Sequence, residues 1–342
     1  MTRDKSRDHP FAAHLKTVGR GPTLSRPLTR AEAADAMTAI IEDRIEPAQL
    51  GALLLVLRYR GETAAELAGF IDAARGALGA PVHGSASPVD LDWPSYADRH
   101  RQQPWFVAAA LLLAENGVRV LMHGIGGYAD GYAPTRPALA RFGIEPAPSL
   151  EAAIRDIECR NVAYIGLESM IPALDRLFDL RPVLGVRTVV NSFTRGINPL
   201  AAPAQVQAIV HPPYRDLHRE AALLLGQPRS VVFKGVGGEV QRNPLKICQV
   251  AGAIAGNAID EDWPAAAASG TYIWRDESLD PDEPRRLWRG EIERPVPEAA
   301  IVATAAVALK TLGRADSIDA AEAMATAMWR ARDKKGFGVR TG

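Results

Sequence analysis

The chain has 342 residues, 47% hydrophobic and 23% charged, enough for a sizeable core and most simply divided between two domains. Its 40 basic and 40 acidic side chains cancel, so no global charge announces a nucleic-acid partner, and any basic surface must come from uneven distribution. Two distant cysteines, Cys159 and Cys248, make neither a disulfide framework nor a metal cluster, and no apolar run reaches membrane-spanning length, so a cytoplasmic protein without a membrane partner is expected.

Residues 10–80 read as helical. Thr29 and Glu32 form a capping box ahead of Ala33, Ala36, Met37, Ile40 and Ile41, which are apolar at helical spacing. Glu46-Pro47 opens a second helix through Leu50, Leu53, Leu54 and Leu57, and Thr63 with Glu66 caps a third. Residues 1–85 are therefore assigned as a small N-terminal α-helical domain. Residues 86–342 are assigned as a larger α/β domain with a mainly parallel central sheet, while helices around 170–190 are free to pack on the first domain.

The α/β part opens with a strand over 88–91, a loop reading DWPSYADRHRQQPW, a helix over 106–116 closed by Gly117, and a strand over 118–122. That loop lies at the carboxyl end of a strand, where open α/β sheets bind ligands. It carries Trp93, Pro94, Tyr96, Arg99, His100 and Arg101. Aromatics interleaved with arginines suit a nucleic-acid strand whose bases stack while its phosphates pair with guanidinium groups. The rings could equally be filling space beside solvated arginines. Further on come His123-Gly124, helices over 137–142 and 150–156, a strand over 162–166 and a helix over 171–178.

The stretch GVRTVVNSFTRGINP, residues 185–199, reads as a strand over 186–190 followed by an ordered polar loop. A strand and helix follow to Gly226, then a strand over 230–233 that runs into Lys234-Gly235-Val236-Gly237-Gly238-Glu239, with Arg242 and Lys246 beyond. These three cations could form an anion-binding rim or merely balance Glu239. Residues 256–296 are acidic and turn-rich and look like an exposed β-type insertion without an assignable role. After a helix over 297–312, a final helix over 320–332 ends in Arg330, Arg332, Lys334, Lys335 and Arg340, with only Asp333 against them. The helix dipole accounts for about two of these cations; the rest read as a phosphate-tracking patch.

Gly185, Arg187, Thr188, Asn191, Asn198 and Pro199 together resemble the G-x-R-T-x-x-N…N-P segment of the anthranilate phosphoribosyltransferases and their relatives in glycosyltransferase family 3, which share a nucleoside-phosphorylase-like fold. The helical region and His123-Gly124 resemble that family too. The resemblance implies a homodimer formed through the N-terminal helices and, if the chain is an enzyme, substrate contacts by His123, Gly124, Arg181 and Asn191. It also marks departures. The family's glycine-rich diphosphate loop is replaced by Asp92-Trp93-Pro94-Ser95-Tyr96, its lysine and asparagine by Met122 and Ile125, and its magnesium-binding Asp-Glu pair by Gly238-Glu239. No catalytic residue is assigned, and Glu239 is the one metal candidate; magnesium is expected only if phosphoribosyl transfer survives. The chain most resembles a divergent branch of the family, for which the expected property is binding of DNA, possibly single-stranded, or of RNA without sequence preference, along a basic groove of Arg330, Arg332, Lys334, Lys335, Arg340, Lys234, Arg242, Lys246, Arg99 and Arg101. The alternatives are a transferase with an altered donor site and a catalytically silent scaffold that binds a protein.

Overall fold

Local caps and apolar spacing set the helices of the first third of the chain. The structure is a computed structural model describing residues 8–97, 101–126, 135–267 and 270–337. In chain order its elements begin with α1 (Ala12–Gly19), α2 (Arg30–Ile41), α3 (Pro47–Arg60), α4 (Ala64–Ala77), β1 (Leu91–Ser95), α5 (Trp105–Glu115) and β2 (Val120–Gly124). They continue with α6 (Thr135–Ala140), β3 (Pro146–Ala147), α7 (Leu150–Arg160), β4 (Val162–Gly166), α8 (Leu167–Met170), α9 (Pro172–Phe178), α10 (Arg181–Leu184) and α11 (Val190–Phe193). The remainder is β5 (Ala204–Ile209), α12 (Tyr214–Leu225), β6 (Arg229–Lys234), β7 (Cys248–Ile254), β8 (Asn257–Trp263), α13 (Glu283–Arg289), α14 (Pro295–Thr311) and α15 (Ile318–Ala331).

The first unit comprises the chain up to Ala80 together with Ile171–Ile197. Both expected capping boxes form, Thr29 with Glu32 and Thr63 with Glu66. Glu66 does more than cap: fully buried, it accepts N–H bonds from Leu28 and Thr63, each at 2.9 Å, and pairs with Arg60. Gly69 lets α4 approach α2, since a Cβ there would collide with the Arg30 carbonyl and Ala33. The expected strand over 186–190 is corrected. Thr188 donates its N–H to Asn191 Oδ1 at 3.2 Å, and Val190–Phe193 is a turn of helix with Val189, Val190 and Phe193 buried in this helical unit. A β-branched run favours a strand only where a pleated neighbour exists. Here Phe193 meets Phe70, and Arg75 Nη1 donates to the Ile197 carbonyl at 2.8 Å.

The second unit, Pro81–Met170 with Asn198–Gly342, is built on an eight-stranded sheet of order β3-β4-β2-β1-β5-β6-β7-β8. The pairings from β3 through β6 are parallel, and β7 and β8 are antiparallel. Helix α5 is apolar on every side and buried from Trp105 to Ala114, as a core helix must be. The first strand runs later than expected and takes in Trp93, Pro94 and Ser95. Proline is tolerated because pairing with β5 stops at Asp92, two positions earlier. The 256–296 region is β-type only at its start: the largely exposed β8 pairs with β7, a strand that alternation alone does not reveal, and the region then turns into α13 with Trp288 buried.

The chain leaves β1 for β2 on one side and returns to β5 on the other. That reversal opens a crevice beyond the carboxyl ends of the central strands, the usual ligand position in such sheets.

Candidate functional site at the carboxyl edge of the sheet

Three backbone N–H groups around the β1–α5 connection are met by side-chain oxygens from far along the chain. Ala97 N–H donates to Glu239 Oε1 at 2.7 Å, Gln103 N–H to Glu277 Oε2 at 2.8 Å, and Phe106 N–H, in the first turn of α5, to Gln241 Oε1 at 3.1 Å. Glu239 and Gln241 are each 1% exposed. Glycines let the 235–241 turn reach this position: a Cβ on Gly235 would strike the Glu239 carbonyl, and Gly238 has φ +86°. Glu277 also accepts from Trp105 Nε1 at 2.8 Å and from the Tyr272 hydroxyl at 2.6 Å. Burial pushes its carboxyl above the ordinary glutamate value, and those donors pull partly the other way. Neither Gln241 nor Glu277 was singled out in sequence, because no local pattern announces a cap supplied across 135 or 174 positions.

Beneath this edge a chain of buried polar groups crosses the sheet. The Tyr96 hydroxyl lies 2.8 Å from His123 Nδ1, and His123 Nε2 lies 3.1 Å from Asp92 Oδ1. Gln205 Nε2 donates to Asp92 Oδ2 at 2.7 Å, Gln207 Nε2 to Gln205 Oε1 at 2.5 Å, and His218 Nδ1 meets Gln207 Oε1 at 2.6 Å. Asp92 and His123 are fully buried. His123 thus has both ring nitrogens engaged within the protein. Gly124 follows because β1 passes so near that a Cβ would collide with the Ser95 carbonyl.

The sequence-derived cations among the described residues divide into three groups. Lys234 and Lys246 are exposed and share one pocket of about 360 Å³ with Arg215, which the sequence reading passed over. Arg330, Lys334 and Lys335 are exposed at and beyond the end of α15, and Arg101 is exposed on the β1–α5 loop. Arg242 and Arg332 are corrections. Arg242 is fully buried, paired through Nη1 with Glu322 at 2.7 Å, donating through Nη2 to the Pro264 carbonyl and lying over the Trp263 ring, so it cannot reach a nucleic-acid strand. The guanidinium of Arg332 serves the carbonyls of Trp288, Trp329 and Leu287 at 2.8, 2.6 and 3.2 Å and stacks 3.6 Å from the Trp329 ring centre. Trp93 and Tyr96 are at most 1% exposed and fill space instead of presenting faces to bases. Arg99 and Arg340 lie outside the described residues.

Arg181 and Asn191 belong to the first unit. Burial, and secondarily the Arg187 guanidinium, lower the Arg181 pKa from its ordinary value. Asn191 Oδ1 is committed to the Thr188 N–H. Asn198, with φ +42°, bonds Ala202 and Gln227 and fixes the turn ahead of β5.

Glu239 does not fit a magnesium site. Its carboxylate is buried on a backbone N–H donor, and among the described residues no three His, Cys, Asp or Glu side chains are grouped to hold an ion. No described helix is long and apolar enough to cross a membrane.

Residues 13–77 match the glycosyl transferase family helical bundle domain. The anthranilate phosphoribosyltransferase of Desulfitobacterium hafniense (strain DSM 10664 / DCB-2) is 30% identical over 199 residues, 58% of this chain and 58% of that protein. That of Halobacterium salinarum (strain ATCC 29341 / DSM 671 / R1) is 30% identical over 225 residues, 66% of this chain and 65% of the relative. The matched stretch therefore spans less than two thirds of these relatives. Among solved structures, the anthranilate phosphoribosyltransferase of Thermus thermophilus superposes with a TM-score of 0.76 at 24% identity, covering 89% of this chain and 92% of that one. The Saccharomyces cerevisiae enzyme in complex with PRPP and Mg gives 0.74 at 14% identity, covering 97% and 98%.

Proposed function

We propose, from the premise that the chain is an anthranilate phosphoribosyltransferase-like protein of the glycosyltransferase family 3 fold, that it is a sugar transferase or phosphorylase with an altered donor site. One observation carries this reading. Ala97, Gln103 and Phe106, the amides that border the crevice, already hold Glu239, Glu277 and Gln241. Two of the three occupants are carboxylates, and a diphosphate placed on the same amides would meet their charge at short range. A donor phosphate must then be neutralised by side-chain cations, which would also stabilise a phosphate leaving group as the glycosidic bond breaks. Calorimetry with phosphoribosyl pyrophosphate and Mg²⁺ tests the donor: no micromolar binding is expected, and micromolar binding would overturn the altered site. Release of a sugar 1-phosphate from a nucleoside panel with inorganic phosphate tests the chemistry; absence of turnover with every donor and acceptor tried would remove the transferase reading.

A second reading, sequence-tolerant nucleic-acid binding, is favoured by the exposure of Arg330, Lys334 and Lys335. Its footprint is smaller than the sequence suggested, since Arg242 and Arg332 serve the fold. Homodimerisation through the helical unit is favoured by Leu55, 52% exposed, and Tyr59, 94% exposed, one turn apart on α3 with Ala52 exposed beside them.

A further inference from the structure

The pocket holding Lys234 and Lys246 includes none of the three capped amides that border the crevice. It is formed by the carboxyl ends of β5 and β6, the first turn of α12 and the start of β7, and its volume of about 360 Å³ suits a small ligand. Part of its lining is cationic. Lys234 ends β6, Lys246 precedes β7, and neither side chain has an ion-pair or hydrogen-bond partner among the described residues. Arg215 joins them from α12, held by Gln249 Oε1 at 2.8 Å, so the guanidinium is positioned without being neutralised by that contact. None of the pocket's described lining residues is acidic. The α12 N-terminus adds the positive end of a twelve-residue helix.

Apolar groups also line it: Ile209, Val236, Ile247 and the Trp274 indole. The Trp274 N–H is sheltered from solvent and has no acceptor among the described residues. Cys248 contributes wall and not chemistry, because burial pushes its thiol up to about 11. Free phosphate would use the cations and leave this wall bare.

We infer that the pocket binds an organic phosphate monoester of nucleotide size, its phosphate on Lys234, Lys246 and Arg215 and its flat body against Trp274. Two flexible ammonium groups and one fixed guanidinium can surround a phosphate from three directions. An indole face then adds stacking for a heteroaromatic ring. This inference does not depend on sugar transfer.

Titration calorimetry of the full chain with AMP, ribose 5-phosphate and inorganic phosphate tests it. The expected order of affinity is AMP, then ribose 5-phosphate, then phosphate. The double variant K234A/K246A, at exposed positions and checked for fold by circular dichroism, should lose AMP affinity by about tenfold or more. W274A should bring AMP down to the affinity of ribose 5-phosphate. No AMP binding at millimolar concentration, equal affinity for AMP and inorganic phosphate, or unchanged AMP affinity in K234A/K246A would each overturn the site. Turnover is not read in this experiment, so its failure leaves the transferase reading standing and its success does not establish it.

Discussion

The Glu239 carboxylate accepts the Ala97 N–H at 2.7 Å across 142 positions of sequence, tying the end of β1 to the turn that follows β6. A buried carboxylate on a backbone donor is a strong, charge-assisted contact, and removing it strands the donor. The Glu239→Ala variant should lose about 1–3 kcal/mol of unfolding free energy in urea with an unchanged m-value. A loss below about 0.5 kcal/mol would mean that water or another residue replaces the carboxylate, and that the amide is not reserved for it.

The buried line from Tyr96 through His123, Asp92 and Gln205 to Gln207 and His218 makes a second prediction. Asp92 has acceptors only where its neighbours present donors, so Asp92→Asn turns an N–H₂ toward Gln205 Nε2 or His123. The expected cost is roughly 2–4 kcal/mol by chemical denaturation. A near-neutral D92N would show that the line is not built around a carboxylate.

Capping boxes, the Glu46-Pro47 helix start and the left-handed Gly226 stop were legible because each is decided within a few residues. Strand β7 was missed, and GVRTVV was read as a strand, because tertiary neighbours decide those cases: β6 and β8 flank Cys248–Ile254, while Val189 and Val190 sink into a helical unit. At the candidate site, Glu239 and His123 are legible in the sequence but not the groups they meet, and Lys234 and Lys246 are legible but not the Arg215 and Trp274 that share their pocket. Arg242 looked like a rim cation because sequence cannot show that Glu322, 80 positions on, waits for it in the interior.

Glu277 gives a pH test. Its folded-state pKa is raised, chiefly by burial, so the native state holds the proton more tightly than the unfolded chain. The contribution is therefore fully present below the ordinary glutamate pKa and lost as pH rises through the raised one. Glu277→Gln cannot ionise, so the stability deficit of E277Q relative to the native chain should be largest near pH 4 and shrink as pH rises through the raised value. Denaturant midpoints across that range measure it; a deficit that grows with pH would reverse the sign.

Arg332 and its neighbours should separate structural from surface cations. Arg332→Ala removes donors to three carbonyls and the stack on Trp329, and should cost about 2 kcal/mol. The triple change R330A/K334A/K335A touches exposed side chains and should shift stability by no more than about 0.5 kcal/mol. On the nucleic-acid reading, the triple variant should weaken single-stranded DNA binding and flatten its salt dependence. Equal affinity for native chain and triple variant at two salt concentrations would remove these cations from any such surface.

The helical unit makes the last prediction. Tyr59 and Leu55 stand four positions apart on α3, so their side chains share a face, and at 94% and 52% exposure they leave a large apolar area in water. A second copy of the same helix would cover it, with Ala52 continuing the face so that two backbones can approach and the exposed Arg58 at its border. Light scattering coupled to size exclusion should give twice the 36.8 kDa chain mass for the native protein. L55E/Y59E, which places two like charges on each copy of that face, should give the chain mass alone with its helical signal intact. A monomeric native protein, or a variant that stays dimeric, would move the interface off this helix.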